Sequence, residues 1–137
     1  MLPLPSDEPP DFSLKSVSSD SDKIEEVTLS SFKGKKVLLF FFSLGGVVSP
    51  KEFYQLEDFL RYYNLNCKII GISTDPLESL ETLLRTERSH AGLKDMRMIL
   101  ASDEMGEVGK KYKMYKEGEH KNFKDVVLID EEGRIIF

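Results

Sequence analysis

Apolar residues in this chain gather into short continuous runs, and between the runs they recur at every third or fourth position. The run at 37–42 is apolar throughout and is typical of a strand that is buried on both faces of a sheet. A second run at 67–73 and two shorter ones at 98–101 and 126–129 predict further strands. Strands of this kind need helices on both sides to cover them.

The periodic stretches between the runs predict the helices. Ser49 followed by Pro50 is a typical helix start, with serine as the capping residue and proline in the first helical position. Apolar residues three and four apart continue from there to Tyr63, which predicts an amphipathic helix that faces a core. A second helix is expected to start at 75–76, and a short third helix is expected at 105–112.

Each end of the chain is predicted to form a hairpin. At the start, strands at 12–14 and 27–29 flank a polar turn at 16–22, and near the end, strands at 126–129 and 134–137 flank a Glu-Gly turn. The predicted order is therefore strand-strand, strand-helix-strand-helix, strand-helix and strand-strand. This order predicts an α/β domain built as a three-layer sandwich around a central mixed sheet, a layout that resembles the thioredoxin fold.

The length of 137 residues suits one domain. We assign residues 1–8, with their prolines and acidic residues, to an extended lead-in and residues 9–137 to the domain. The net charge of −5 does not favour binding to nucleic acid or to anionic lipid, and no apolar run approaches the roughly 20 residues that span a bilayer. We therefore predict neither nucleic acid nor a membrane as a partner.

Cys67 is the single cysteine of the chain. One thiol can form neither an intramolecular disulfide nor a cysteine-based zinc site, and we predict no metal and no other cofactor. The single thiol and the lack of a signal-peptide pattern favour a reducing, cytoplasmic location. Cys67 is interpreted as a small apolar residue at the start of a buried strand, and the alternative is a redox thiol in an unusual place.

Several short motifs together resemble those of the peroxiredoxins, the alkyl hydroperoxide reductase/thiol-specific antioxidant family. They follow one another from about residue 9 to the end of the chain. The motifs are Pro-Asp-Phe-Ser-Leu at 10–14, Gly-Lys and the apolar run within 34–42, Val-Ser-Pro at 48–50, Gly-Ile-Ser-Thr-Asp at 71–75, Ser-Asp-Glu-Met-Gly-Glu-Val at 102–108 and Val-Leu-Ile-Asp at 127–130. Each motif alone is weak, and their common order identifies the chain as a member of this family, which has the thioredoxin fold.

The resemblance implies a site where a cysteine thiolate at the start of a helix reduces hydroperoxides, because the helix dipole and nearby donors lower the pKa of the thiol. The family's pattern puts that cysteine at Ser49, its threonine at Gly46, its proline at Phe42 and its arginine at Lys124. All four positions carry a different residue in this chain. Glu52 matches the acidic residue that the family has three positions after its cysteine.

These departures predict that the peroxidase site is degenerate. A serine hydroxyl stays protonated near neutral pH and cannot be oxidised to a sulfenate, Gly46 has no hydroxyl to hold a peroxide, and Phe42 brings a bulky ring. Lys124 keeps the positive charge but lacks the planar fork of arginine. We therefore expect a peroxiredoxin-like domain without thiol peroxidase activity that acts as a binding or structural partner. The alternative is a thiol-dependent peroxidase whose cysteine at position 49 has been replaced by serine.

Two other uses of Ser49 are open at this point. As a hydrolytic nucleophile it would need a nearby base, and the two histidines of the chain are His90 and His120. A weak anion site is also conceivable near Ser49 and Lys124, since a bare helix start can hold an anion. The interpretation that requires least is that Ser49 caps the helix.

The chain ends at Phe137, inside the last predicted strand. A thioredoxin-like domain normally adds one more helix across one face of the sheet, so we expect the fold to be truncated before that helix. An apolar area left open in this way is typical of a contact surface. We predict that a second copy of the chain or another protein covers it.

Overall fold

The computed structural model describes residues 8–44, 50–62, 66–87, 92–94, 96–122 and 124–136. The strands in these residues are β1 (Ser13–Ser18), β2 (Ser21–Thr28), β3 (Lys36–Phe42), β4 (Cys67–Ser73), β5 (Ile99–Ser102), β6 (Tyr115–Lys116), β7 (Lys121–Asn122) and β8 (Asp125–Ile129). The helices are α1 (Pro50–Tyr62), α2 (Leu77–Arg85) and α3 (Glu107–Lys111), and a short 3₁₀ helix covers Leu29–Phe32. Strands β6 and β7 pair with each other, and the other six form one sheet.

The six-stranded sheet has the order β2-β1-β5-β4-β3-β8. Its central strands β3, β4 and β5 run parallel, and β1 and β8 flank them in antiparallel orientation. Parallel neighbours need a crossover connection, and α1 follows β3 while α2 follows β4 along the chain. This mixed sheet between helices confirms the predicted thioredoxin-like α/β fold.

Strand β3 contributes to the cores on both faces of the sheet, because successive side chains of a strand point to opposite faces. Its even-numbered residues pack with buried residues of α1 and α2. Its odd-numbered residues pack with residues of α3 and of the opening hairpin. Every residue from Val37 to Phe42 is at most 5% exposed, so the continuous apolar run does form the buried centre of the sheet.

The three helices are short, with 13, 9 and 5 residues. Helix α1 buries Phe53 and Leu60 of the predicted stripe, whereas Phe59 and Tyr62, which lie beside the stripe, are 50% and 83% exposed. Helix α2 begins directly after Pro76, as the sequence predicts. No helix in the described ranges is long and apolar enough to cross a membrane.

Two local predictions are wrong, and one small hairpin was not predicted. The opening hairpin has longer strands and a turn confined to the two residues between Ser18 and Ser21, because most residues of β2 are exposed and can therefore be polar. In the described part of 134–137 there is no strand but a single bridge between Ile129 and Ile135. The sequence pattern also gives no sign of the β6–β7 hairpin, since two-residue strands have no alternation to detect.

The predicted Glu-Gly turn near the end is present. Gly133 has a φ of 80°, which glycine adopts at little cost because it has no Cβ. One carboxylate oxygen of Asp130 accepts the N–H groups of Glu132 at 3.0 Å and Arg134 at 2.9 Å. The turn brings Ile135 back onto the sheet, where it is 1% exposed.

Candidate functional site at the carboxyl edge of the sheet

The parallel strands β3, β4 and β5 end side by side at one edge of the sheet, which we call the carboxyl edge. Phe42 pairs with Ser73 at the ends of β3 and β4, and Ser73 pairs with Ser102 at the end of β5. Strand β8 starts at this edge too, because Asp125 lies opposite Phe41. Ligands of open α/β sheets bind at this kind of edge, and Phe42 and Lys124 both lie here.

Phe42 is a core residue at this edge. Its ring is fully buried and lies 5.5 Å from the ring of Phe40 and 5.0 Å from that of Phe53, measured between centroids. Gly71 on the neighbouring strand makes room for it, since a Cβ there would lie 2.9 Å from Cε1 of Phe42 and 2.8 Å from Cδ2 of Leu100. The aromatic ring therefore fills the space on the helix side of this edge.

Lys124 and Glu52 form an ion pair across the same edge, from the residue before β8 to the first turn of α1. The distance from Nζ of Lys124 to Oε1 of Glu52 is 2.5 Å, and the two side chains are 46% and 27% exposed. The second carboxylate oxygen of Glu52, Oε2, is buried and accepts no hydrogen bond from the described residues. The lysine therefore neutralises the carboxylate but satisfies only one of its two oxygens.

Asn122 of β7 fastens the small hairpin onto the ends of β3 and β4. Its side-chain amide donates to the carbonyl oxygens of Phe42 at 3.3 Å and Ile72 at 3.2 Å. Its backbone N–H donates to Oγ of Ser43 at 2.9 Å, and that hydroxyl is within 2.7 Å of the Thr74 hydroxyl. Asn122 is 5% exposed, so these contacts form a buried polar network.

Asp75 extends this network towards the end of β5. Its carboxylate accepts the N–H of Leu44 at 2.6 Å and the hydroxyl of Ser73, and its own N–H donates to Oγ of Ser73 at 3.0 Å. The Ser102 hydroxyl donates to the carbonyl oxygen of Asp75 at 2.7 Å. The polar end of the Gly-Ile-Ser-Thr-Asp motif thus binds the chain together where the strands end.

Asp103 is a buried carboxyl group just beyond β5. Its carboxylate accepts the N–H groups of Val108 at 3.3 Å and Gly109 at 2.9 Å, and it therefore caps the start of α3. Burial raises the pKa of Asp103, although these backbone hydrogen bonds act in the opposite direction. The Asp103 carboxylate is used for helix capping, and sequence reasoning did not single it out.

The structure brings together two of the four site positions that the sequence suggested. Phe42 and Lys124 lie at the carboxyl edge with Glu52, whereas Ser49 and Gly46 lie outside the described residues. His90 lies outside them as well. The His120 side chain is exposed, and its Nδ1 lies 2.8 Å from the hydroxyl of Tyr115, so this histidine does have a partner.

Cys67 lies far from these positions. It is paired with Lys36 at the beginning of β3, six residues before Phe42, which corresponds to about 20 Å along the strand. The thiol is half-buried. A residue of the core would be fully enclosed. Burial raises its pKa, the charge of Lys36 opposes that rise, and the charge of Glu131 adds to it.

Comparison of the sequence with known protein families identifies the family of this chain. The sequence model of the AhpC/TSA family matches residues 5–137. The chain belongs to the AhpC/TSA family. Among its relatives in this family are peroxiredoxins, and the resemblance of the motifs is thereby confirmed.

The relatives also show how much of a whole peroxiredoxin the chain represents. Peroxiredoxin-1 of Gekko japonicus is 32% identical over 128 residues, which are 92% of this chain and 64% of that protein. A putative peroxiredoxin in the rubredoxin operon of Clostridium pasteurianum is 31% identical over 129 residues, which are 90% of this chain and 71% of that protein. The chain thus spans a little under two thirds of the peroxiredoxin-1 that it resembles.

A solved peroxiredoxin has the same fold. The mitochondrial 2-Cys peroxiredoxin from Plasmodium falciparum superposes with a TM-score of 0.83 at 23% sequence identity, and the match covers 98% of this chain and 80% of that one. This likeness supports the thioredoxin-like architecture of the AhpC/TSA chain. The chemistry of the carboxyl edge depends on the side chains that this chain has there.

The chemistry available at the carboxyl edge is limited by the residue types there. Cys67 is the only cysteine of the sequence and lies at the opposite end of the parallel strands. Lys124 is engaged by Glu52, and the described hydroxyl and carboxyl groups next to Phe42 bind one another or the backbone. Among the described residues, such an arrangement can stabilise the edge.

Proposed function

We propose that this AhpC/TSA chain is a peroxiredoxin-like domain, spanning residues 9–137, without thiol peroxidase activity. One observation carries the proposal, namely that the single cysteine lies about 20 Å along the sheet from Phe42 and Lys124. Position 49, where the resemblance puts the reacting cysteine, is a serine. An alcohol near neutral pH has neither the nucleophilicity nor the oxidation chemistry of a thiolate.

The proposal is tested by hydrogen-peroxide consumption with a thiol reductant, measured for the chain and for the Ser49→Cys variant. We expect neither to turn over efficiently, because the phenylalanine at 42 and the glycine at 46 also differ from the family's pattern. Turnover by the unchanged chain would refute the proposal. A matched Cys67→Ser variant shows whether any residual consumption comes from the thiol on β4.

The second candidate is a thiol-dependent peroxidase in which serine has replaced the cysteine. It is favoured by the ion pair of Glu52, which matches the acidic residue of the family's pattern, with a cation at position 124. Efficient peroxide reduction by Ser49→Cys alone would support this candidate, since it would show that the remaining edge is competent. The measured rate with Cys67→Ser in the same background separates the two thiols.

We further propose that the chain acts as a binding partner through an apolar groove between α1 and β8. The groove has a volume of about 680 Å³. It is lined by Leu38, Phe40, Glu52, Gln55, Leu56, Phe59, Leu60, Lys124, Asp125, Val126, Leu128 and Ile136. Phe59 is 50% and Ile136 45% exposed, and a contiguous apolar surface of this kind is typical of a protein contact.

The occupant that we propose first is a second copy of the chain, which sedimentation velocity over a range of concentrations tests directly. We expect association that weakens in Phe59→Asp/Ile136→Asp. Met105→Asp is the matched control, since Met105 is 71% exposed and lies outside the groove. A stable monomer that binds no hydrophobic dye would contradict the contact proposal. A monomer whose dye binding is lost in the double variant would favour a different protein as the occupant.

The cytoplasmic location predicted from the sequence stays a prediction. Its support is the single cysteine, which cannot form an intramolecular disulfide. Fluorescence microscopy of the chain with a tag at either end checks it.

A further inference from the structure

A second groove opens at the other end of the parallel strands, where β3 and β4 begin, and we call this end of the sheet the amino edge. The groove has a volume of about 630 Å³, within the range of small-molecule sites. Its lining residues are Ser18, Asp20, Gly34, Lys35, Lys36, Asn66, Cys67, Lys68, Ile69, Arg97, Met98, Ile99 and Glu131. Three separate stretches of backbone supply its cations.

The cations of this groove are not neutralised by ion pairs. In the described ranges no carboxylate lies within 4.0 Å of the side-chain nitrogens of the four basic residues, Lys35, Lys36, Lys68 and Arg97. Two acidic residues, Asp20 and Glu131, also line the groove. The described lining residues therefore carry a formal charge of 4 − 2 = +2 in a chain whose net charge is −5.

The four cations line one groove although they leave the sheet in different directions. Lys36 lies opposite Cys67, and Lys68 lies opposite Val37 in the parallel register, so these two lysines start adjacent strands and project from opposite faces of the sheet at its end. Arg97 precedes β5, the next strand in the sheet. Several positive groups around one concave space attract an anion more strongly than the same groups spread over a surface.

In a neighbouring cleft, two of the basic side chains are bound by carbonyl or carboxylate oxygens. That cleft shares Asp20 and Arg97 with the groove, but its other basic residues already have partners. Arg85 donates to the carbonyl oxygens of Ser18 and Ser21 at 3.0 and 2.6 Å. Lys94 lies 2.8 Å from a carboxylate oxygen of Glu87. These two cations are therefore engaged, whereas the four basic residues of the groove have no ion-pair partner among the described residues.

We propose that the groove at the amino edge binds a small, soluble compound that carries several phosphate charges. Lysine and arginine are the side chains that proteins use for phosphate groups, and the volume admits a compact polyphosphate or a phosphate ester. Cys67 takes no chemical role in this proposal. It lies in the wall of the groove, where its half-buried thiol can report occupancy.

Titration with inorganic tripolyphosphate at constant ionic strength tests the proposal. We expect saturable shifts of the backbone amide resonances at 34–36, 66–68 and 97, and slower alkylation of Cys67 by neutral iodoacetamide as the groove fills. Lys68→Gln/Arg97→Gln should weaken binding about tenfold or more, which corresponds to the loss of about 1.4 kcal/mol. Amide spectra of each free variant verify that it is folded.

The matched control removes two positive charges elsewhere. Lys23→Gln/Lys111→Gln changes exposed lysines on β2 and α3 that do not line the groove, and its affinity should stay within about twofold. Equal weakening in both double variants would overturn the proposal, because it would mean that the net charge alone attracts the anion. Binding to vesicles that contain phosphoinositide, without binding to tripolyphosphate, would overturn the assignment to a soluble compound.

Discussion

The two edges of the central sheet differ in how their polar groups are used. At the carboxyl edge, Asn122, Ser43 and Asp75 bind one another or the strand ends, and Phe42 fills the apolar space beside them. At the amino edge, the basic residues of the groove have no ion-pair partner among the described residues, and Cys67 lies half-buried between them. Among the described residues, the polar groups at the edge where the family's resemblance puts chemistry are thus used within the structure, whereas the cations at the opposite edge are not paired.

The fold and the family of a chain therefore do not by themselves locate its binding site. The same three parallel strands present both edges, and side-chain identity decides which of them is available. At one edge a phenylalanine and an asparagine are buried among the strand ends, whereas lysines that start adjacent strands leave the other edge charged and concave. Substitutions at the two edges test whether the polar and aromatic contacts of the carboxyl edge stabilise the fold.

The largest effect is expected for Phe42→Ala. Removing a fully buried aromatic side chain typically costs about 3–5 kcal/mol in the free energy of unfolding, and Phe42 is 0% exposed between Phe40 and Phe53. Urea unfolding followed by circular dichroism measures this. Phe59→Ala is the control, because a phenylalanine that is 50% exposed should cost only about 1 kcal/mol. Similar losses of unfolding free energy for both variants would show that the buried ring of Phe42 does not stabilise this edge more than an exposed ring does.

A smaller effect is expected for Asn122→Ala. The change leaves two buried carbonyl oxygens, those of Phe42 and Ile72, without their side-chain donor, which should cost about 1–3 kcal/mol. Asn66→Ala at the open edge is the control, since Asn66 is exposed and its loss should stay within about 0.5 kcal/mol. Both values come from the same urea titrations. A cost for Asn66→Ala as large as that for Asn122→Ala would erase the difference between the edges.

The central strands of the sheet are predictable from the sequence because each is encoded by a short run of neighbouring residues. The run at 37–42 is apolar at every position, and β3 is buried over those same residues. The Glu-Gly turn is equally local, since its geometry depends on one glycine and on Asp130 three residues before it. Patterns that span a few residues report such elements well.

The polar network of the carboxyl edge is not predictable in this way because its partners are far apart in the sequence. Asn122 and Ser43 are 79 residues apart, and Asn122 stands in a charged segment that gives no sign of burial. The family resemblance places Lys124 and Glu52 separately, but the ion pair between them appears only in the folded chain. The groove at the amino edge has the same origin, since its cations come from three separate stretches.

The pH dependence of stability should distinguish two acidic residues. Burial raises the pKa of Asp103. For Asp11, burial also acts to raise the pKa, but hydrogen bonds from Ser30 and Phe12 and the charge of Lys33 outweigh it and lower the pKa. Titration of the carboxyl carbons by NMR should therefore place Asp103 above 3.8 and Asp11 below it. Midpoints in the reverse order would contradict the burial argument for Asp103.

The sign of the effect on stability follows from linkage. The folded state binds the Asp103 proton more tightly than the unfolded state, so this contribution to stability is fully present below about pH 3.8. It is lost as the pH rises through the elevated folded pKa of Asp103. The difference in unfolding free energy between the unchanged chain and Asp103→Asn should therefore shrink over that rise. Urea unfolding at several pH values measures it, and a difference that grows with pH would oppose the prediction.

The smallest effect is expected for Lys124→Arg, and it has the opposite sign. The lysine ammonium contacts Oε1 of Glu52, while Oε2 is buried and has no hydrogen-bond partner in the described part of the chain. A guanidinium group can donate to both oxygens of one carboxylate. Because the pair is partly exposed, we expect a gain of only about 0.5 kcal/mol. A double-mutant cycle with Glu52→Gln isolates this gain. The glutamine side chain has one acceptor oxygen and one donor nitrogen, so it cannot accept two hydrogen bonds from the arginine guanidinium as a carboxylate does. If Lys124→Arg were equally stabilising in the Glu52→Gln background, the benefit would come from packing of the longer group, and the unsatisfied oxygen of Glu52 would not be the weak point of this edge.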